Sequence, residues 1–211
     1  MKIPTQDFFD VFKQTEGAFS TLEAIALYNI CLSAPQGNYL ELGSHKGKSS
    51  MAAILGLKQG FFNLVDPIFE DDDIVRGVVT AITNATGGGK SHLNFIANYS
   101  TNVIGNYENL AYVMVDSGDH GPELLNAELS MLNGRIMSGG ILALHDLDNQ
   151  FCAIRDGYDR LAASGEYEPI HIDWNEIFDY ARANNLEDGN VSWHERGSEE
   201  FPKFVGALRK K

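Results

Sequence analysis

The sequence predicts an α/β protein: a largely parallel sheet with helices on both faces and an antiparallel C-terminal edge. Two observations carry this. From residue 38 to about 163, short apolar strand-like runs alternate with stretches of helical periodicity, as successive β-α units do. Beyond residue 164 the alternation breaks, and the last two strand-like stretches lie close together in sequence, as the arms of a hairpin would.

Each element has its own signal. Residues 7–33 read as helical, with Phe8, Phe9 and Phe12 as one apolar cluster and Leu22, Ile25, Ala26, Asn29 and Ile30 at helical spacing. Ser20 or Thr21 caps the second piece, with Glu23 early in its first turn. Pro35, Gln36 and Gly37 mark a turn. Strands follow at 39–42, 61–65, 92–97, 112–115 and 140–144. Helices are expected at 49–57, 73–85, 101–107, 123–137 and 151–163. In the tail, 169–173, 191–194 and 204–208 read as strands and 177–183 as a helix. With no repeat, low-complexity tract or linker, the chain is expected to be one domain over 1–211. N-terminal helices occupy 1–36, a ligand-binding core 37–164, and C-terminal strands with a substrate wall 165–211.

Composition narrows the function classes. A hydrophobic content of 44% suits an ordinary globular core, and no run approaches the roughly 18 apolar residues of a membrane span. A net charge of −13 repels phosphate backbones and anionic lipid, so neither nucleic acid nor membrane is an expected partner. MKIPTQDFFDVFKQ has no apolar stretch of a secretory signal, and Cys31 and Cys152 sit apart among apolar residues. Both features fit free thiols in a reducing, cytoplasmic setting. The run Glu70 to Asp73 reads as a solvated face or a helix N-terminus.

The chemistry is expected at the strand ends. Ligands of open α/β sheets bind outside the C-terminal ends of the strands, and Glu41, Asp66, Asp116 and the pair His145-Asp146 all fall there. Any one of these could simply cap the next helix; four on one edge indicate a ligand site. GSHKGKS, residues 43–49, is the turn after the first strand. A phosphate-binding loop has four residues between its first glycine and Gly-Lys, and this turn has three. GGGKS, at 87–91, has Asn84 where that loop needs glycine and precedes a strand. The dinucleotide fingerprint fails as well, because His45 replaces its middle glycine. A cofactor without phosphates fits better: Gly43 and Gly47 supply a tight turn, Ser44 and Ser49 supply hydroxyls, and Asp66 can accept both hydroxyls of a ribose.

ELGSHKGKSS, VDP, VMVDSGDH and MSGGILALHDLD, in this order, resemble the class I S-adenosylmethionine (SAM)-dependent methyltransferases. They are most similar to the small O-methyltransferases that include catechol O-methyltransferase and the macrolide-sugar enzymes. The resemblance spans about residues 15–148 and implies a Rossmann-like, seven-stranded sheet with a reversed final strand. It implies that Glu41, Gly43, Ser44, Gly47 and Ser49 hold the methionyl end of SAM, Asp66 the ribose, and Asn98 and Ser100 the adenine side, with Asp116 at the fourth strand end. It further implies a divalent metal, Mg²⁺ or Mn²⁺, at Asp116, His145 and Asp146. Two departures stand out: His145 replaces the usual oxygen ligand, and Ser117 is an extra residue in DSGDH. The implied reaction moves a methyl group to a hydroxyl of a small molecule or sugar, with His120, or else His145, as general base oriented by Asp119. Homodimers are common in this group. The alternatives are a nucleotide-binding ATPase or kinase, and a SAM-binding protein without transfer activity.

Overall fold

The computed structural model describes residues 1–17, 19–88, 91–118, 121–147, 152–186 and 205–211. Five strands, β1 (Asn38–Leu42), β2 (Gly60–Val65), β3 (Ser91–Ile96), β4 (Leu110–Val115) and β5 (Ile136–His145), run parallel. With β6 (Tyr167–Pro169) and β7 (Val205–Lys210) they form a seven-stranded sheet of order β3-β2-β1-β4-β5-β7-β6. Only β7 is reversed, antiparallel to both of its neighbours, so the expected antiparallel edge is present. The chain builds outward from β1 to β3, then returns to place β4 on the other side of β1. That reversal creates a switch point between the ends of β1 and β4, where such sheets hold their ligands.

Alternate residues of each strand feed two separate cores, because successive side chains leave a strand on opposite faces. Tyr39, Phe62, Tyr112, Met114 and Ala143 face one layer, formed by α1 (Gln6–Gln14), α2 (Thr21–Leu32), α3 (Lys48–Gly56), α4 (Asp72–Thr86) and α8 (Trp174–Ala183). Leu40, Leu42, Val113, Val115 and Leu144 face the other, formed by α5 (Ser100–Val103), α6 (Pro122–Leu132) and α7 (Cys152–Ala163). Every residue of β4 is buried, as a central parallel strand requires.

Several boundaries moved, each for a local reason. The 7–33 helix divides: Thr15 ends α1, Gly17 takes φ +146°, and Ser20 starts α2 with a capping box completed by Glu23. The helix expected to reach residue 137 ends at Leu132, because Gly134 at φ +78° turns the chain into β5. In the tail, Tyr167–Pro169 pairs with β7, Ile170 adds one more bond to the Ala207 carbonyl, and the chain then enters α8 with Asp173 as its N-cap. The 191–194 strand lies outside the described residues. Asp71 caps α4, with Asp72 and Asp73 in its first turn, so the acidic run opposes a helix dipole. Among the described residues, no helix is long and apolar enough to cross a membrane.

Candidate functional site

The turn after β1 is tied to two neighbouring strands. Gly43 and Ser44 donate their backbone N–H groups to the Val65 carbonyl at 2.9 and 3.3 Å, and Gly47 closes the turn by donating to Ser44 O at 2.8 Å. Gly43 takes φ +83°, and a Cβ there would lie 2.0 Å from the Asp116 carbonyl oxygen. Only glycine allows β1 and β4 to meet this closely at the switch point. Gly47, at φ +76°, starts α3, and a Cβ on it would strike Val78.

Beneath the turn, Glu41 is fully buried on β1. Ser49 donates its hydroxyl to Glu41 Oε1, and Ser44 donates to the Glu41 carbonyl at 3.4 Å. Glu41 Oε2 has no hydrogen-bond partner, and the Ser50 hydroxyl, close enough to act electrostatically, makes no hydrogen bond of ordinary geometry. Burial pushes the Glu41 carboxyl up to about 7, against the pull of the Ser49 and Ser50 hydroxyls.

The ends of β1 to β5 converge on one cavity of about 810 Å³. Gly43, Ser44 and Ser49 line it from the β1 turn, Asp66 from β2, Asn98 and Ser100 from the segment after β3. Asp116 lines it from β4, and His145 and Asp146 from β5. Glu41 and Gly47 do not line the cavity; they shape its floor from below. Asp66 is already part engaged: Oδ2 accepts the His45 amide at 2.8 Å and Oδ1 the Ile68 amide at 3.0 Å. A carboxylate has about four acceptor positions, so capping leaves room for a diol. Asn98 Oδ1 accepts from the Tyr99 amide at 2.8 Å and the Asn102 side chain at 2.9 Å, ordering the start of α5 beside the exposed Tyr99 ring.

His145 is surrounded by acid. Nδ1 lies 3.1 Å from Asp116 Oδ1 and 3.4 Å from Asp146 Oδ2, while Nε2 lies 2.6 Å from Glu23 Oε1. Phe19 packs its ring 5.0 Å from the imidazole, centroid to centroid. Burial alone would lower the His145 pKa, but Asp116, Asp146 and Glu23 together hold it well above the usual histidine range. With both ring nitrogens engaged, His145 has no free lone pair for an acceptor proton. The general-base role that the sequence allowed it is therefore at odds with its setting. Asp146 sits at φ +58°, a left-handed conformation that aspartate tolerates and that turns its carboxylate back to the ring. The donor atoms of Asp116, His145 and Asp146 lie within 4.8 Å of one another, close enough for one cation. Their chemistry suits Mg²⁺ poorly, since that ion takes oxygen ligands in preference to imidazole.

Sequence reading missed the wall supplied by the connection between α1 and α2. Gly17, Phe19, Ser20 and Glu23 line the cavity, as do Lys46 and Lys48. Lys46 pairs with Glu16. The Lys48 ammonium sits 4.7 Å from the Phe12 ring centroid and donates to the Gly17 carbonyl at 3.4 Å. Glu23 announced itself in sequence only as a helix-capping residue. Ser117, the extra residue, donates its hydroxyl to the buried Glu128 of α6, which anchors the segment following Asp116. Asp119 and His120 lie outside the described residues.

No protein-family model matches the sequence, and no curated protein matches it either. Solved structures do share its architecture. A methyltransferase from Geobacter sulfurreducens matches over 100% of this chain and 91% of its own, at 11% identity and a TM-score of 0.61. An O-methyltransferase from Bacillus cereus in complex with SAH matches over 99% and 93%, at 16% identity and a TM-score of 0.59. The O-methyltransferase TomG from Streptomyces achromogenes, involved in tomaymycin synthesis and solved with SAM, matches over 82% and 85%, at 13% identity and a TM-score of 0.53. At such identities the likeness is one of fold: the chain has the Rossmann-like, seven-stranded fold of these methyltransferases.

Proposed function

We propose that this chain is a SAM-dependent methyltransferase of one domain, transferring a methyl group to a hydroxyl of a small molecule or sugar. The observation that carries it is the convergence of five strand ends on one cavity whose glycine turn is too short for a phosphate loop and whose walls carry Glu23, Asp66, Asp116 and Asp146. With Lys46 paired to Glu16 and the Lys48 ammonium seated over Phe12, the acids outweigh the two lysines of the lining, which disfavours a polyphosphate and favours a cation such as a sulfonium. That tells against the ATPase alternative.

The donor set fits SAM. The Ser44 and Ser49 hydroxyls and the turn would hold the methionyl carboxylate, with Glu41 and Gly47 shaping the turn beneath. Asp66 would accept the ribose hydroxyls, and Asn98 and Ser100 would flank the adenine. Asp116 stands where these two halves meet the acceptor side. When bound, SAM supplies an electrophilic methyl group on a positively charged sulfur. Asp116 and Asp146 keep the acceptor wall negative, and the α1–α2 connection supplies part of that wall. We assign the acceptor's proton to His120, oriented by Asp119. Asp116, His145 and Asp146 remain the candidate metal ligands. The net charge of −13 favours an acceptor that is neither nucleic acid nor an anionic membrane, and suits a cytoplasmic enzyme. Homodimerisation belongs to the same proposal and is read by light scattering.

Calorimetric titration with S-adenosylhomocysteine (SAH), beside ATP-Mg²⁺ and NAD, tests the reading. Saturable binding of SAH alone is expected. Heat from ATP without SAH binding would overturn it. SAH binding without methyl transfer to any member of a hydroxyl-acceptor panel would indicate a binding protein instead.

A further inference from the structure

The carboxylates around His145 come from three elements. Asp116 follows β4, Asp146 follows β5, and Glu23 belongs to the first turn of α2. Two of them share Nδ1, at 3.1 and 3.4 Å. A dication with ligand bonds of about 2.0–2.2 Å sets neighbouring ligand atoms about 3 Å apart. The two separations therefore match adjacent corners of one coordination shell.

Glu23 holds the other side of the ring. Its Oε1 is 2.6 Å from Nε2, and its Oε2 accepts the Ser20 amide at 2.6 Å, so both oxygens are fixed in a side chain that is itself buried. A carboxylate in that position keeps a proton on Nε2. A dication that displaces the Nδ1 proton therefore meets that nitrogen and the Asp116 and Asp146 carboxylates together. The Phe19 ring against the imidazole restrains its tilt. Outer carboxylates on histidine ligands orient the ring and raise its basicity.

We propose that Glu23 is a positioning residue that fixes His145 as the Nε2–H tautomer, and thereby makes Asp116, His145 and Asp146 a site selective for a transition-metal dication such as Mn²⁺ or Co²⁺ over Mg²⁺. Imidazole ligation supplies the selectivity, because Mg²⁺ gains little from nitrogen and sheds water reluctantly. When the dication enters, any proton on Nδ1 leaves to solvent and the metal takes its place between the two aspartates. For its role beside an acceptor this rests on the methyltransferase reading; its occurrence is measured without it.

The test uses the full chain, stripped with a chelator and dialysed against Co²⁺, with uptake read by visible absorption, and then against Mn²⁺, read by electron paramagnetic resonance. One equivalent bound, retained in about a hundredfold excess of Mg²⁺, is the expected result. Glu23→Gln, which can still complete the capping box, should weaken Co²⁺ binding about 10- to 100-fold. His145→Asn should abolish the preference over Mg²⁺, and circular dichroism establishes that each variant is folded. No stoichiometric uptake, displacement by equimolar Mg²⁺, or unchanged affinity in both variants would overturn the proposal. SAH titration of the same preparation separates the two readings. SAH binding without metal uptake sinks this inference alone, and metal uptake without SAH binding sinks the methyltransferase reading instead.

Discussion

Glu23 and His145 are 122 positions apart in the chain, yet Glu23 Oε1 lies 2.6 Å from His145 Nε2, inside the protein. The contact joins the first turn of α2 to the end of β5, and so ties the N-terminal helices to the ligand edge of the sheet. Glu23→Ala removes one partner of a buried ion pair and one half of a capping box. Asp116 and Asp146 still face the ring, so the loss is that of one charged hydrogen bond and a helix cap, about 2–4 kcal/mol. Urea unfolding of the metal-free chain should show a loss of that order. A loss below about 1 kcal/mol would mean that the pair is solvated in practice.

Glu41 makes stability depend on pH in the direction opposite to an ordinary ion-paired carboxylate. Its pKa rises on folding from 4.5 to about 7. Between those values the native state holds a proton that the unfolded chain has released, so stability falls as pH rises through the window. The full effect is about 3 kcal/mol, at 1.36 kcal/mol for each pKa unit. Glu41→Gln should remove this slope and gain on the wild type between pH 4.5 and 8. Parallel urea midpoints for the two proteins across that range would refute it.

Two glycines with similar backbone angles should respond differently to alanine. Gly43 is at φ +83° with the Asp116 carbonyl 2.0 Å from any added Cβ, whereas Gly87 is at φ +68° with nothing within 4 Å. Gly87→Ala should cost about 1–2 kcal/mol, the left-handed penalty alone. Gly43→Ala must also part β1 from β4, at about 2–4 kcal/mol in total, and should lose SAH binding. Equal thermal shifts would mean that the β1–β4 seam yields easily.

Asp66→Ala should weaken SAH binding by roughly 1.5–3 kcal/mol, the range for hydrogen bonds to a charged group. The same change frees the His45 amide now held at 2.8 Å, so the turn loosens as well. Calorimetry on the folded variant checks this, and unchanged affinity would move the ribose elsewhere.

His120→Ala should leave SAH affinity intact and slow methyl transfer about 10²- to 10⁴-fold. The general-base limb of the pH–rate profile should vanish with it. A variant that keeps both rate and pH profile would shift the base to another group.

Much of this protein is written locally. The β-α alternation, the glycine turn and the acids at the strand ends depend on residues within a few positions of one another. Periodicity and turn chemistry report such features directly. The boundary errors have the same origin: Gly134 at φ +78° ended α6 five residues before the expected boundary at 137.

Long-range packing set the rest. Sequence placed Glu41 in the cofactor motif, yet the strand pairing buries it beneath the cavity and raises its pKa. His145 looked available as a base until three elements closed on it. Glu23 read only as a residue of a capped helix turn; with Phe19 and Lys48 it became cavity wall because α1 and α2 fold over the β1 turn. A single chain states which side chains it carries and how its neighbours bend. The reach between Glu23 and His145, and the environment each meets, follow only from which strand lies beside which and which helix covers their ends.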